Sequence, residues 1–194
     1  KGVLGSFRLE SHGVDLPNEI AIINRAELSD THVQLLLNDT TATPKDTAQS
    51  EVRWKVDLRH LKLKNVSFSM QLPADSMRLA AHVGEAQVND AEADLKNLHY
   101  GLRSFLVSGT SVNYDVGTAE PAEGFDPSHI ALRDIRIGLD SMYYRGRNMN
   151  AVIREFSMND RSGLSVNSLT GRVFANDTII QVPSLKLLTP HSEI

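Results

Sequence analysis

The stretch Leu63-Lys64-Asn65-Val66-Ser67-Phe68-Ser69-Met70 comes back along the chain in slightly altered form: residues 28–35 precede it, and residues 95–102 and 132–139 follow. Each copy has an apolar residue, a polar one, an Asp or Asn, and then an alternating apolar and polar run. Leu63 lies 35 residues after Leu28, Leu95 lies 32 after Leu63, and Leu132 lies 37 after Leu95. Self-similarity at such a period points to a repeat architecture, in which each unit buries its apolar face only by stacking on its neighbours.

The phase of the alternation sharpens this. Leu61 and Leu63 are odd-numbered, whereas Val66, Phe68 and Met70 are even-numbered; the same switch separates Ile130 and Leu132 from Ile135, Ile137 and Leu139. In a regular strand a one-residue slip turns every side chain to the opposite face. A bulge or corner at Lys64-Asn65 and at Arg133-Asp134 keeps both halves apolar toward one interior. Asn and Asp suit such corners because they tolerate left-handed backbone angles. Each unit therefore reads as strand, corner, strand.

Other segments follow the same period of two. Val52, Trp54, Val56 and Leu58 alternate, as do Met77, Leu79, Ala81 and Val83, and further short runs end at Gly, Asn-Asp or Pro. Residues 38–50 and 118–128 lack this pattern and read as loops. Short strands at intervals of roughly 8 to 12 residues indicate an all-β chain, and no window carries a convincing helical period. The expectation is one continuous β-repeat segment over residues 1–194, with about fourteen short, mostly antiparallel strands and little helix. Nothing in the sequence supplies a second layer to cover the apolar face, so the sheet has to curl into an elongated, U-shaped open groove. At ~4.8 Å per strand it would be roughly 65 Å long.

Composition removes several classes of function. The formal charge is −4 with no basic block, which disfavours nucleic acid as a partner. With no cysteine, disulfide scaffolds and thiolate metal sites are excluded. No apolar run approaches the ~20 residues of a membrane-spanning helix. The chain starts at Lys1 and stops at Ile194 within an alternating pattern, so the expectation is a piece of a longer protein.

A catalytic or metal-binding constellation in this chain would have to draw on the seven His residues and the carboxylates. His60 and His129 precede the second and fourth copies of the frame, while His32 and His99 lie after their own. None has ligand spacing, so they read as surface or strand-edge residues, with neither metal nor cofactor expected. Asp126, Asp134, Asp140, Glu155 and Asp160 form the densest acidic region. A polysaccharide hydrolase needs such groups paired on one face, but turn chemistry accounts for each singly. There is no nucleophile elbow or phosphate-binding glycine loop, and the chain reads as non-enzymatic. The triplets at Asn38, Asn65 and Asn176 match the glycosylation pattern without further support.

The apolar stripe remains. Leu28, Val33, Leu35, Leu61, Leu63, Val66, Phe68, Met70, Leu98, Tyr100, Leu102, Leu132, Ile135, Ile137 and Leu139 either fill a dry interior or line an open groove. As a lining they would expose far more apolar surface than an ordinary monomer does, which marks a ligand or partner site. A preponderance of Leu, Ile and Val with only 6% aromatic residues suits acyl chains.

The run from Trp54 through Val56, Leu58, Leu61, Leu63 and Val66 to Phe68 resembles the repeating units of TamB and AsmA-like proteins. So does Met158-Asn159-Asp160-Arg161-Ser162-Gly163-Leu164, and the closing Leu185-Lys186-Leu187-Leu188-Thr189-Pro190-His191 is similar to a line common in that family. The resemblance implies a periplasmic, inner-membrane-tethered bridge that carries phospholipid acyl chains toward the outer membrane and supports its assembly. It also implies an Omp85-type barrel as partner, docked through a part of the protein outside this stretch. Under that reading the stripe residues line a lipid groove. The alternative is a structural or adhesive β-solenoid with a closed, side-chain-filled core.

Overall fold

The computed structural model describes residues 1–37 and 53–194. The loop expected at 38–50 lies outside the described residues. Among the described residues, eleven strands form a single sheet: β1 (Gly2–Val3), β2 (Ser6–Asp15), β3 (Ile20–Leu36), β4 (Lys55–Leu72), β5 (Met77–Asp94), β6 (His99–Asp115), β7 (His129–Arg145), β8 (Asn148–Asp160), β9 (Ser165–Val166), β10 (Ser168–Ala175) and β11 (Ile180–Leu188). The described helix is confined to one 3-10 turn, Pro73–Asp75. The sheet runs from β1 and β2, both on β3, through β4 to β8, then to β10 and β11, with β9 also on β8. It is open, since β2 and β11 lie at opposite edges and do not meet. Nine strands along this path span about 40 Å at the usual spacing, shorter than the expected trough.

The expectation of fourteen short strands is corrected by the structure. Five strands, β3 to β7, are 17 or 18 residues long. Gly84-Glu85, Asn89-Asp90 and Ser108-Gly109, which resemble breaks in sequence, lie inside β5 and β6. Breaks in the alternation mark bends of a continuous strand, because the backbone ladder continues on both sides of them.

All pairings among the described residues are antiparallel except β3 with β4, which is parallel at a constant offset of 35 residues, from Ile20↔Lys55 to Leu36↔Gln71. The repeat distance between Leu28 and Leu63 is thus a physical register: the two residues are direct partners. The third copy of the frame has a different fate. Leu95, Lys96, Asn97 and Leu98 form the β5–β6 hairpin turn, where the Asp94 carboxylate accepts from the Asn97 backbone N–H at 3.0 Å and from its side-chain amide at 2.8 Å.

Two creases cross the sheet. The first passes through Asp30, Asn65, Gly84, Gly109 and Asp134. Asp30, Asn65, Gly109 and Asp134 have φ between 51° and 60°, the left-handed region that Asn, Asp and Gly enter most readily. From β3 to β5 these are corners without bulges, because Asn65 is crossed with no change of register on either side. Asn65 donates its amide to Asp30 at 2.7 Å, and Asn159 donates to Asp134 at 3.2 Å. Gly84 is required by packing: a Cβ there would lie 2.8 Å from the Gly109 carbonyl oxygen.

The second crease passes through Arg59, Asp90, Arg103 and Asp140, with Asp90 at φ 46°. Arg103 pairs with Asp90 at 2.6 Å and Arg154 with Asp140 at 3.0 Å. Next to it, His60 Nδ1 lies 2.9 Å from Asn89 Oδ1, and Asn89 donates to Ser104 at 2.9 Å.

Candidate functional site: an apolar face carried around two creases

In a sheet, directly opposed residues share a face, so the register traces rows of side chains across the strands. The row of Leu63 runs Phe7, Leu28, Leu63, Ala86, Val107, Ile137 and Phe156. Beside it runs Leu9, Ala26, Leu61, Val88, Phe105, Leu139 and Ile153. Past the first crease come Thr31, Val66 and Val83, with Thr110 and Ile135 continuing on β6 and β7; then Val33, Phe68, Ala81, Val112 and Leu132; then Leu35, Met70, Leu79, Tyr114 and Ile130. Past the second crease come Ile23, Leu58, Ala91, Leu102 and Met142, and then Ala21, Val56, Ala93, Tyr100 and Tyr144. The last two rings stack with centroids 6.1 Å apart.

Seven rows therefore place an apolar set on β4 to β7, and its phase changes at each crease. On β4 the set is Val56 and Leu58, then Leu61 and Leu63, then Val66, Phe68 and Met70. Fourteen of the fifteen stripe residues expected from sequence lie in these rows. Leu98 does not: it occupies the hairpin turn with φ 53° and is 53% exposed. The short-range pattern around Leu95 copies the frame, but Asp94 caps a turn there. Phe105, Val107, Val112 and Tyr114 on β6 belong to the rows and were missed as site residues. Their signal was the alternation on either side of Ser108-Gly109, which resembled two strands.

Burial along these rows is uneven in an informative way. Thr31, Ala86, Val107, Thr110 and Ile135 are buried and all flank the first crease on the apolar face. Side chains inside a bend are shielded by both walls, so the sheet bends toward its apolar side there. Away from the crease Phe68, Met70, Leu79 and Leu132 are half-buried. Among the described residues no large side chain is fully buried. A filled core of a chain this size would contain several, since buried Leu, Ile and Phe ordinarily touch neighbours on all sides.

The opposite face carries the charge. Its ion pairs, such as Lys62 with Glu85 at 3.4 Å and Arg145 with Glu92 at 3.0 Å, are solvent-exposed and contribute little each. A shallow cavity of about 700 Å³ at the second crease brings Leu58, Leu102 and Met142 next to Arg59, Asp90 and Arg103. Another, of about 560 Å³, lies at the lip between the β4–β5 hairpin and residues 117–121.

Residues 118–128 lie in the connection from β6 to β7, and Asp126 organises this segment. The backbone N–H groups of Ala122 and Ser128 bond its carboxylate at 3.0 and 2.9 Å, and the His129 ring lies 2.9 Å away. These donors hold the Asp126 pKa down to about 2. His129 is buried, which corrects its reading as a surface residue: the Asp126 bond makes burial of the ring affordable. Asp160, also buried, is held below the usual carboxylate range by hydrogen bonding from Ser162, while its Oδ1 has no hydrogen-bond partner among the described residues. No group of three or more His, Cys, Asp or Glu is arranged for a metal among the described residues, and no described helix is long and apolar enough to cross a membrane. Comparison of the chain with protein-family models, with curated proteins and with solved structures finds no match.

Proposed function

We propose that this chain is a non-enzymatic segment of a lipid-conducting β-groove, of the kind that the resemblance to TamB and AsmA-like proteins implies. Phospholipid acyl chains lie along the apolar rows, and head groups sit at the lips of the sheet in water. The carrying observation is the pairing of seven apolar rows on one face with an open sheet that fully buries no large side chain among the described residues. Such a face is stable in water when it is occupied, each methylene removed from water contributing ~0.8 kcal/mol. The setting is the periplasm, between an inner-membrane tether and an Omp85-type barrel reached through other parts of the protein. The mechanism is passive: the protein lowers the cost of an acyl chain leaving a bilayer and needs no reacting group.

The test is native mass spectrometry of the purified chain, then organic extraction and lipid analysis. Phospholipid recovered in fixed proportion, and lost in Phe68→Asp, supports the groove. Lipid-free protein that melts cooperatively and takes up no added phospholipid overturns it.

A further inference from the structure

We propose that the cavity at the lip between β5 and β6 is a head-group site for a zwitterionic phosphoamine, with Arg78 meeting the phosphate and Asp115 the ammonium. The acyl chains of that ligand rest on the groove reading above. Arg78 and Asp115 are direct cross-strand partners, so their Cβ atoms are about 4.5–5.5 Å apart. Both line the same cavity of about 560 Å³. Each belongs to no ion pair or side-chain hydrogen bond among the described residues, unlike the exposed charges at Lys62 and Glu85 or Arg145 and Glu92. A cation and an anion held side by side without closing on each other match a ligand whose own opposite charges are joined by a two-carbon link. A simple phosphate would satisfy Arg78 but face the Asp115 carboxylate, and a simple amine would face the Arg78 guanidinium.

The walls favour an amphiphile. Leu72 and Met77, cross-strand partners at the end of the apolar face, border the same cavity. A lipid with its chains on that face reaches the charges by turning over the lip, without crossing the sheet. The opposite wall is fixed: Gly117 N–H bonds the Ser76 carbonyl at 3.2 Å, Val116 N–H bonds the Ser128 carbonyl at 2.8 Å, and His129, which lines the cavity, is tied to Asp126.

The experiment is isothermal titration of lipid-stripped protein with dihexanoyl-phosphatidylethanolamine, dihexanoyl-phosphatidylglycerol and dihexanoylglycerol, for the wild type, Arg78→Gln, Arg78→Lys and Asp115→Asn. Losing one charge-assisted bond is expected to weaken binding about tenfold. Arg78→Gln should therefore weaken both phospholipids, Asp115→Asn the ethanolamine lipid alone, and neither the diglyceride. Arg78→Lys should retain most of the affinity, which separates loss of charge from loss of fold. Wild-type affinity of Arg78→Gln and Asp115→Asn for the ethanolamine lipid overturns the head-group site and leaves the groove standing. A wild type that binds none of the three probes overturns both.

Discussion

The side-chain amide of Asn65 on β4 donates to the carboxylate of Asp30 on β3 at 2.7 Å, and both residues hold left-handed backbones, at φ 53° and 51°. The pair joins two parallel strands at the first crease and repeats the same corner 35 residues apart. A β-branched residue in this conformation costs about 1–2 kcal/mol in backbone strain, and the lost hydrogen bond adds about 1 kcal/mol. Asn65→Val should lower unfolding stability by about 2–3 kcal/mol, whereas Asn65→Gly, which keeps the backbone freedom, should cost about 1 kcal/mol. Urea denaturation of the two variants checks this, and equal losses would show that the backbone conformation is unimportant.

Gly84 and Gly13 make a paired test of the crease. A Cβ at Gly84 would lie 2.8 Å from the Gly109 carbonyl oxygen and 3.0 Å from that of Ser108, while nothing lies within 4 Å of a Cβ at Gly13. Both glycines lie inside strands. Gly84→Ala should destabilise by about 1–3 kcal/mol through overpacking, and Gly13→Ala should be neutral or stabilising by up to about 1 kcal/mol. Thermal melts of the two variants give the answer, and a neutral Gly84→Ala would mean that adjacent strands are not in close contact at this crease.

These corners show how much of the fold was legible. Phase switches at Asn65 and Asp134 disclosed the first crease, because a residue that resets the alternation and also tolerates positive φ leaves a mark in the residue order. Asn89-Asp90 at the second crease has the same chemistry but resembled a turn, since a short-range pattern cannot say whether the ladder resumes beyond it. The copy at Leu95 failed for the complementary reason: its resemblance to the frame is genuine, but Asp94 is placed to bond Asn97 and close a hairpin. The parallel pairing of β3 with β4 was legible only as the distance from Leu28 to Leu63. The lip cavity was illegible, because Arg78 and Asp115 become neighbours only through the β5–β6 register.

Asp126 gives the loop a defined acid sensitivity. Its carboxyl titrates at 3.8 in the unfolded chain and at about 2 in the folded one, held down by the Ala122 and Ser128 backbone donors and the His129 ring. A depressed carboxylate contributes its full stabilisation above the unfolded value and loses it as the pH falls through the folded value. Asp126→Asn keeps an acceptor but no charge. The stability difference between wild type and Asp126→Asn should shrink as the pH falls from about 4 to 2. Melting temperatures across this range check it; a gap that widens on acidification would reverse the sign and refute the assignment.

Ile137 and Arg136 are consecutive on β7, and the register puts Ile137 in the Leu63 row while Arg136 pairs with Ser157 on the charged face. Ile137 is half-buried and Arg136 exposed. Placing a carboxylate at Ile137 forfeits its partial burial, about 1–3 kcal/mol, because the new charge keeps access to water on an unfilled face. In a filled core the same change would leave an unpaired buried charge and exceed about 4 kcal/mol. Ile137→Asp should therefore remain folded with a lowered melting temperature and recover little lipid on extraction, while Arg136→Asp should carry as much lipid as the wild type. The contrast turns on side-chain direction alone, since the two positions are neighbours in the chain. If both variants lose lipid equally, bound lipid does not distinguish the faces and the apolar rows are not its seat. If Ile137→Asp fails to fold, the rows are a filled interior and not a lipid seat.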